Sequence, residues 1–267
     1  MKNLQHYLMV ATLMLAAVVG TLAVASEDKA LTILRAQEAA DAGFNDAKVV
    51  GTMILRSKSG KESVRKFVSV VLEEQSGMGG DMSIVTFQSP KDIKGTSLLS
   101  HSNSEPKDDY QWLFLPALKR VKRISSSNRA GKFVASEFSY EDLGAPNIDD
   151  STHIWLAQKK CPTNATLTCA VIESKPKNKK SGYSRTIQYI DLKEYRTFQV
   201  DFYNRRGDLE KILVSSDFKR YQSKFWRAHK MEMNNLKSFK STTLVWSDYQ
   251  FEKGLKKKSF NPQTYYE

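Results

Sequence analysis

The apolar positions along this chain change period near residue 43. Ahead of it, Ala30, Ile33, Leu34, Ala36 and Ala40 share one broad side, with Arg35, Glu38 and Asp41 outside it. That spacing predicts an amphipathic helix over Leu31–Asp41. Ser26 is placed to cap its start and Gly43 to end it. Beyond Gly43 the period falls to two. Val49–Arg56, Val64–Glu73 and Met82–Phe87 read as strands separated by turns at Ser59-Gly60 and Gly77–Gly80, a meander. In the second of these, Val64, Val68, Val70 and Leu72 share a face. Tyr195–Tyr203 alternates most clearly, with Phe198, Val200 and Phe202 on one face and Thr197, Gln199 and Asp201 on the other. Asn204–Asp208 turns the chain and Leu209–Val214 returns as a hairpin. Phe225–Leu236 and Ser241–Phe251 add two more strands, and Ser174–Gly182 reads as an exposed basic loop. The expected total is ten or eleven strands, with a short helical piece between Ser136 and Asp150. So many strands require a large curved sheet, a barrel or a sandwich, and local pattern does not choose among them.

Residues 1–25 read as an address. Lys2 and His6 precede an almost wholly apolar run from Leu8 to Val24, and Ala23-Val24-Ala25 supplies a cleavage site before Ser26. A membrane anchor is the competing reading, but Ser26-Glu27-Asp28 follows the run where a basic flank would be expected. Cleavage after Ala25 is expected to leave residues 26–267 as a single exported domain in the periplasm. The formal charge of +12 would ordinarily suggest nucleic acid, but export directs attention to anionic headgroups or an acidic partner. Cys161 and Cys169 are the two cysteines of the chain, and in an oxidising compartment this pair is expected to form a disulfide across a short loop.

The densest patterning lies between Asp109 and Leu143. Tyr110, Trp112 and Phe114 alternate with Gln111, Leu113 and Leu115, so both faces of this strand are apolar and both need cover. Pro116 ends its ladder. Lys119, Arg120, Lys122, Arg123, Arg129 and Lys132 follow, interrupted by Val121 and Ile124. Lys119, Arg120, Lys122 and Arg123 read either as a charged edge strand guarded against sheet-to-sheet pairing or as a docking patch for an anionic headgroup or partner. Glu141 and Asp142 are adjacent and accompany no nucleophile motif, so pairing with the basic segment or capping a short helix is expected of them rather than acid–base chemistry. His101, His153 and His229 are isolated and read as structural. No metal or cofactor is implied, and no enzymatic activity.

Residues 88–143 resemble the LolA-like proteins that sort lipoproteins to the outer membrane. The resemblance is carried by Pro90, by Gly95-Thr96-Ser97-Leu98-Leu99, by Gln111 through Ile124, and by Phe133, Ser136, Phe138, Ser139, Tyr140, Glu141, Asp142 and Leu143. Ala135 and Glu137 depart from it, standing where glycine and aspartate are usual. The resemblance implies a fold: mainly β with α, a strongly curved antiparallel sheet forming an unclosed half β-barrel of about 11 strands, with helices packed in the mouth. It also implies an apolar cavity that binds acyl chains of a lipid or lipoprotein, and for many members of this branch work beside an RND-type membrane exporter, so the alternative expectation is a periplasmic accessory subunit of such an exporter that docks through its basic face. On that fold, alternation puts Trp112, Phe114, Phe198, Val200 and Phe202 inward, with Leu31 and Leu34 facing them from the helix. A one-residue slip in phase would turn any of these to the other face.

Overall fold

A strand that is apolar on both faces is stable only when both are covered, and here two different parts of the chain cover them. The computed structural model describes residues 26–73, 80–103, 109–145 and 147–267. The expected signal peptide and most of the Gly77–Gly80 turn lie outside those residues.

A helix, α1, spans residues 26–41, and Ser26 is itself helical rather than a cap. Gly43 follows with φ of +92°, the left-handed conformation that glycine adopts without a Cβ penalty. Thirteen strands follow: β1 (Asp46–Arg56), β2 (Glu62–Leu72), β3 (Met82–Ser89), β4 (Ser97–His101), β5 (Tyr110–Leu115), β6 (Arg120–Ile124), β7 (Ser151–Cys161), β8 (Asn164–Pro176), β9 (Tyr183–Asp191), β10 (Thr197–Asn204), β11 (Leu209–Tyr221), β12 (Phe225–Asn235) and β13 (Lys240–Phe251). They make one sheet in the order β6-β5-β4-β3-β2-β1-β13-β12-β11-β10-β9-β8-β7, all pairs antiparallel. The two meanders join where the first strand pairs with the last, Met53 opposite Leu244. The count exceeds the expected eleven because the chain between Ser151 and Asp191 holds three strands, β7, β8 and β9, for which no bounds were expected, and β8 runs to Pro176, into the segment expected to be a loop.

The sheet is open, with β6 and β7 at its two edges, and residues 125–145 and 147–150 lie between one edge and the other. This strap consists of short 3-10 turns at Ser126–Asn128, Phe133–Ala135, Glu141–Leu143 and Ile148–Asp150. Its bonds show how far the sheet curves. Gln111 Nε2 on β5 donates to the Tyr140 carbonyl at 2.8 Å, and the Tyr183 hydroxyl on β9 donates to Asp142 at 2.8 Å. β5 is second and β9 eleventh in the strand order, so a flat sheet would hold them about 43 Å apart. Residues two apart in sequence span at most about 7 Å. The sheet therefore bends into a half-barrel with the strap across its mouth.

The main core lies between the strap and the inner face of the sheet. Phe133 and Phe138 from the strap pack with Met53, Phe67, Phe87, Leu98, Leu113, Phe202, Met233 and Leu244. Gly51 makes the closest part of this packing possible. A Cβ there would meet the Phe67 ring at 2.2 Å, and Phe67 and Trp246 meet edge to face over it at 5.1 Å. Helix α1 covers the other end of the inner face, where Ala30, Ile33 and Leu34 pack on Ala170, Ile172 and Ile190.

The outer face near β3–β5 is covered by the C-terminal tail, residues 252–267. Phe260 is 1% exposed against Met82, Ile84 and Leu99. The Asp46 carboxylate accepts from the backbone N–H groups of Lys253, Gly254 and Leu255, which fixes where the tail leaves β13.

Candidate ligand-binding face

Between α1 and the strap, the inner face of β10–β13 is floored by Val200, Leu213, Met231 and Trp246, all only partly buried. Cross-strand pairing fixes their common orientation: Val200 lies opposite Leu213, Met231 opposite Leu244, and Trp246 opposite Gly51. Towards the α1 end, Tyr221, His229 and Tyr249 add a polar-tipped aromatic group. The Tyr221 hydroxyl and His229 Nε2 are 2.8 Å apart, and burial, with Lys219 nearby, holds the imidazole below its ordinary pKa. Arg227 pairs with Asp41 and Lys224 donates to the Ala42 carbonyl, which ties the C-terminal end of α1 to β12 and the turn before it.

The strap is held by a buried polar network. Glu137, 2% exposed, accepts from Lys132 Nζ at 2.6 Å and Asn235 Nδ2 at 2.8 Å, while its own N–H donates to Thr242 Oγ1. Lys211, 7% exposed, donates to the Glu137 carbonyl and pairs with Asp142 at 3.3 Å. Asp142 also accepts from Tyr183 and from the Ser139 N–H. Burial, with Asp142 beside it, keeps the Tyr183 hydroxyl protonated far above the ordinary phenol range. Glu141 accepts from the Gly182 N–H and the Ser181 hydroxyl, and burial pushes its carboxyl pKa up. These two carboxylates therefore pair with Lys211, Tyr183 and the 181–182 turn rather than with the basic segment. Arg65 on β2 donates to the Val134 carbonyl from beneath. Beside the strap, a cleft of about 240 Å³ is lined by Leu55, Ala135 and Thr242 and rimmed by Arg56, Lys61, Glu62 and Lys240.

The residues expected to line one cavity are dispersed. Val200 and Phe202 face inward, Phe202 buried beneath the strap. Leu34 packs from α1 onto Ala170, Ile172 and Ile190, and Leu31 is half-buried outside that cluster. Trp112 and Phe114 lie on the outer face. Trp112 belongs to the cluster capped by Phe260, and Phe114 stacks on Tyr266 at 4.1 Å. Their neighbours Gln111 and Leu113 face the strap instead, the one-residue phase reversal. Phe198 also faces out. A register shift between Thr197 and Gln199 turns it towards Cys161, Cys169 and Phe218. Cys161 and Cys169 form a disulfide across the β7–β8 hairpin.

The four cations expected to dock a partner occupy one edge but not one face. Lys119 sits in the turn before β6, and Arg120 and Lys122 alternate with Val121 and Arg123 along it. Arg123 lies 4.7 Å above the Tyr110 ring. His153 bonds Ser174 and the Ile148 carbonyl, and His101 bonds the Phe260 carbonyl, so both hold structure together. The tail and, apart from Val200, the floor of Leu213, Met231 and Trp246 went unseen in the sequence. The aromatic run Phe260, Tyr265, Tyr266 near the C-terminus and the glycine inside β1 are the signals that mark them.

A family model described only as that of an uncharacterized protein matches residues 79–264. A solved structure from Vibrio parahaemolyticus, described as an outer membrane lipoprotein-sorting protein domain, is 39% identical. The match covers 89% of this chain and 98% of that one with a TM-score of 0.85. The chain belongs to the LolA-like lipoprotein-sorting family. A DUF1329 family protein from Desulfovibrio piger shares the fold at 24% identity and a TM-score of 0.81, covering 88% of this chain and 97% of that one. A LolA superfamily protein from Nitrosomonas europaea shares it at 20% and 0.67, covering 87% and 97%. No curated protein matches the chain. In LolA-like terms, the motif residues Gln111, Phe133, Phe138, Tyr140, Glu141 and Asp142 are those that seat the strap in the mouth of the half-barrel.

Proposed function

We propose that the protein is a periplasmic carrier, exported by cleavage after Ala25. It holds an acyl chain of a lipid or lipoprotein on the inner face of the half-barrel and shuttles it toward the outer membrane. The observation that supports this most directly is the partly exposed apolar floor of Val200, Leu213, Met231 and Trp246 between α1 and the strap, in a chain of the lipoprotein-sorting family. Each methylene moved from water onto such a floor contributes about 0.8 kcal/mol, so a few turns of acyl chain suffice for binding that remains reversible. The cycle needs no bond made or broken. It needs the strap to move aside and return.

Native mass spectrometry of the exported protein, purified without detergent and then incubated with a lipopeptide, tests this. Bound acyl species are expected on the wild type and are expected to be lost when Leu213→Glu and Met231→Glu are combined. A wild type that stays at its apo mass with every acyl probe, or a double variant that binds as well as wild type, overturns the reading.

A further inference from the structure

The two edges of the open sheet are built differently. β6 has five residues, of which Arg120, Lys122 and Arg123 are cations, so it is short and guarded by charge. β7 has eleven and carries no charge from Ser151 to Gln158. Ile154 and Leu156 on it are 40% and 45% exposed. As the last strand in the sheet, β7 leaves the backbone groups of its outer side without a strand partner. The strand is also held rigidly. The disulfide anchors one end of its hairpin with β8, and the Lys177 N–H donates to the Asp150 carbonyl at the other. Lys29 on α1 sits 3.5 Å above the Trp155 ring on the inner side. A long, uncharged, preorganised edge is a template for strand addition.

We infer that the partner of this edge is the β7 strand of a second copy of the chain, paired antiparallel about a two-fold axis near Trp155 and Leu156. The charge pattern selects that partner and that direction. Asp149 and Asp150 precede the strand, and Lys159 and Lys160 lie near its end. An antiparallel pair sets each acidic end beside the other copy's basic end and brings Ile154 and Leu156 of both copies together at the seam. A parallel pair would oppose like charges. The contact is isologous, so it closes at two copies and leaves both β6 edges and both inner faces open. The register shift between Trp155 and Ala157 falls at the two-fold axis, which divides the ladder into two short stretches. The dimer is therefore expected to dissociate on dilution.

Sedimentation velocity of the exported protein over a concentration series tests the pairing. Wild type is expected to shift from monomer to dimer with concentration. Ile154→Lys with Leu156→Lys is expected to stay monomeric with an unchanged melting temperature, since both side chains are exposed. Lys159→Glu with Lys160→Glu is expected to weaken dimerisation roughly tenfold at low salt. Adding Asp149→Lys and Asp150→Lys to that chain is expected to restore it. A wild type that is monomeric throughout overturns the inference. So does a dimer indifferent to the changes at Ile154 and Leu156, or a monomer that retains a foreign strand at this edge.

Discussion

Replacing Phe133 with alanine separates the packing of the strap from the packing of the sheet beneath it. The ring is 1% exposed, stacked on Phe87 with centroids 5.7 Å apart and set edge-on to Tyr140 at the same distance. Truncating a phenylalanine buried this fully costs about 3–5 kcal/mol when its surroundings do not collapse into the space. Where that loss registers depends on whether the strap opens by itself. Its small internal hairpin rests on bonds from the Phe133 N–H to the Phe138 carbonyl and from the Tyr140 N–H to the Gly131 carbonyl. The sheet keeps its ladders without it. If the strap opens as a unit, its opening free energy falls by the full amount, and 3 kcal/mol speeds exchange of those amides roughly 150-fold. Amides of β1, β2 and β13 that exchange through local openings not involving the strap are expected to exchange as before, and stability in urea is expected to fall by the truncation cost.

Hydrogen exchange resolved by peptide, run beside urea denaturation, reads both quantities. The carrier reading adds that an opened strap exposes the floor, so Phe133→Ala should also take up an acyl probe faster. Strap amides as strongly protected in the wild type as those of β1, β2 and β13 would refute independent opening. Faster strap exchange with unchanged probe uptake would refute the strap as the barrier to entry.

Ala135 has φ of +64°, where a Cβ costs about 1 kcal/mol, so Ala135→Gly should raise stability in urea by up to that amount. A loss of stability in that variant would mean the strain is relieved some other way. Burial holds the pKa of His101 below its ordinary value, so the unfolded chain binds the proton more readily than the native one. The stability this confers is full above about pH 6.5 and lost as pH falls through the lower native value. The melting temperature of wild type should therefore drop more steeply on acidification than that of His101→Gln, which can still donate to the Phe260 carbonyl. Equal slopes would remove His101 as the cause.

Period-two alternation carried most of the strands, because an antiparallel sheet with one covered face leaves that mark on its sequence. It could not carry phase where both faces are covered. On β5, Trp112 and Phe114 meet the C-terminal tail while Gln111 and Leu113 meet the strap, and nothing in YQWLFL distinguishes the two covers. On β2, the face shared by Val64, Val68, Val70 and Leu72 carries the more regular apolar row, yet Phe67 from the other face is the residue buried in the main core, with Val64 49% exposed. The Phe198 reversal depends on an irregularity at one position in β10, and alternation counts straight through it. The acidic pair at 141–142 was legible as structural. Its partner Lys211 was not, because a lysine in a strand gives no sign that it will be buried 69 residues from its carboxylate.

The residues that identify the family and those proposed to meet the cargo are different sets, for a physical reason. Glu137, Glu141 and Asp142 sit in a largely desolvated network where each oxygen has an assigned donor. Losing Asp142 leaves Lys211 buried without its ion-pair partner, at a cost of about 3 kcal/mol or more, and losing the Glu137 carboxylate leaves the Asn235 amide without its acceptor. Such a network tolerates little change, and the departure at residue 137 keeps both charge and acceptor oxygens. The floor obeys a looser rule. Val200, Leu213, Met231 and Trp246 need only be apolar and of suitable volume, and methionine in particular adapts its shape to what it touches. A fold maintained by a strict polar lock and a permissive apolar floor can keep one strap while its cargo changes. Differences in cargo among LolA-like chains should accordingly follow the volumes at positions 200, 213, 231 and 246 rather than the motif by which the family is recognised.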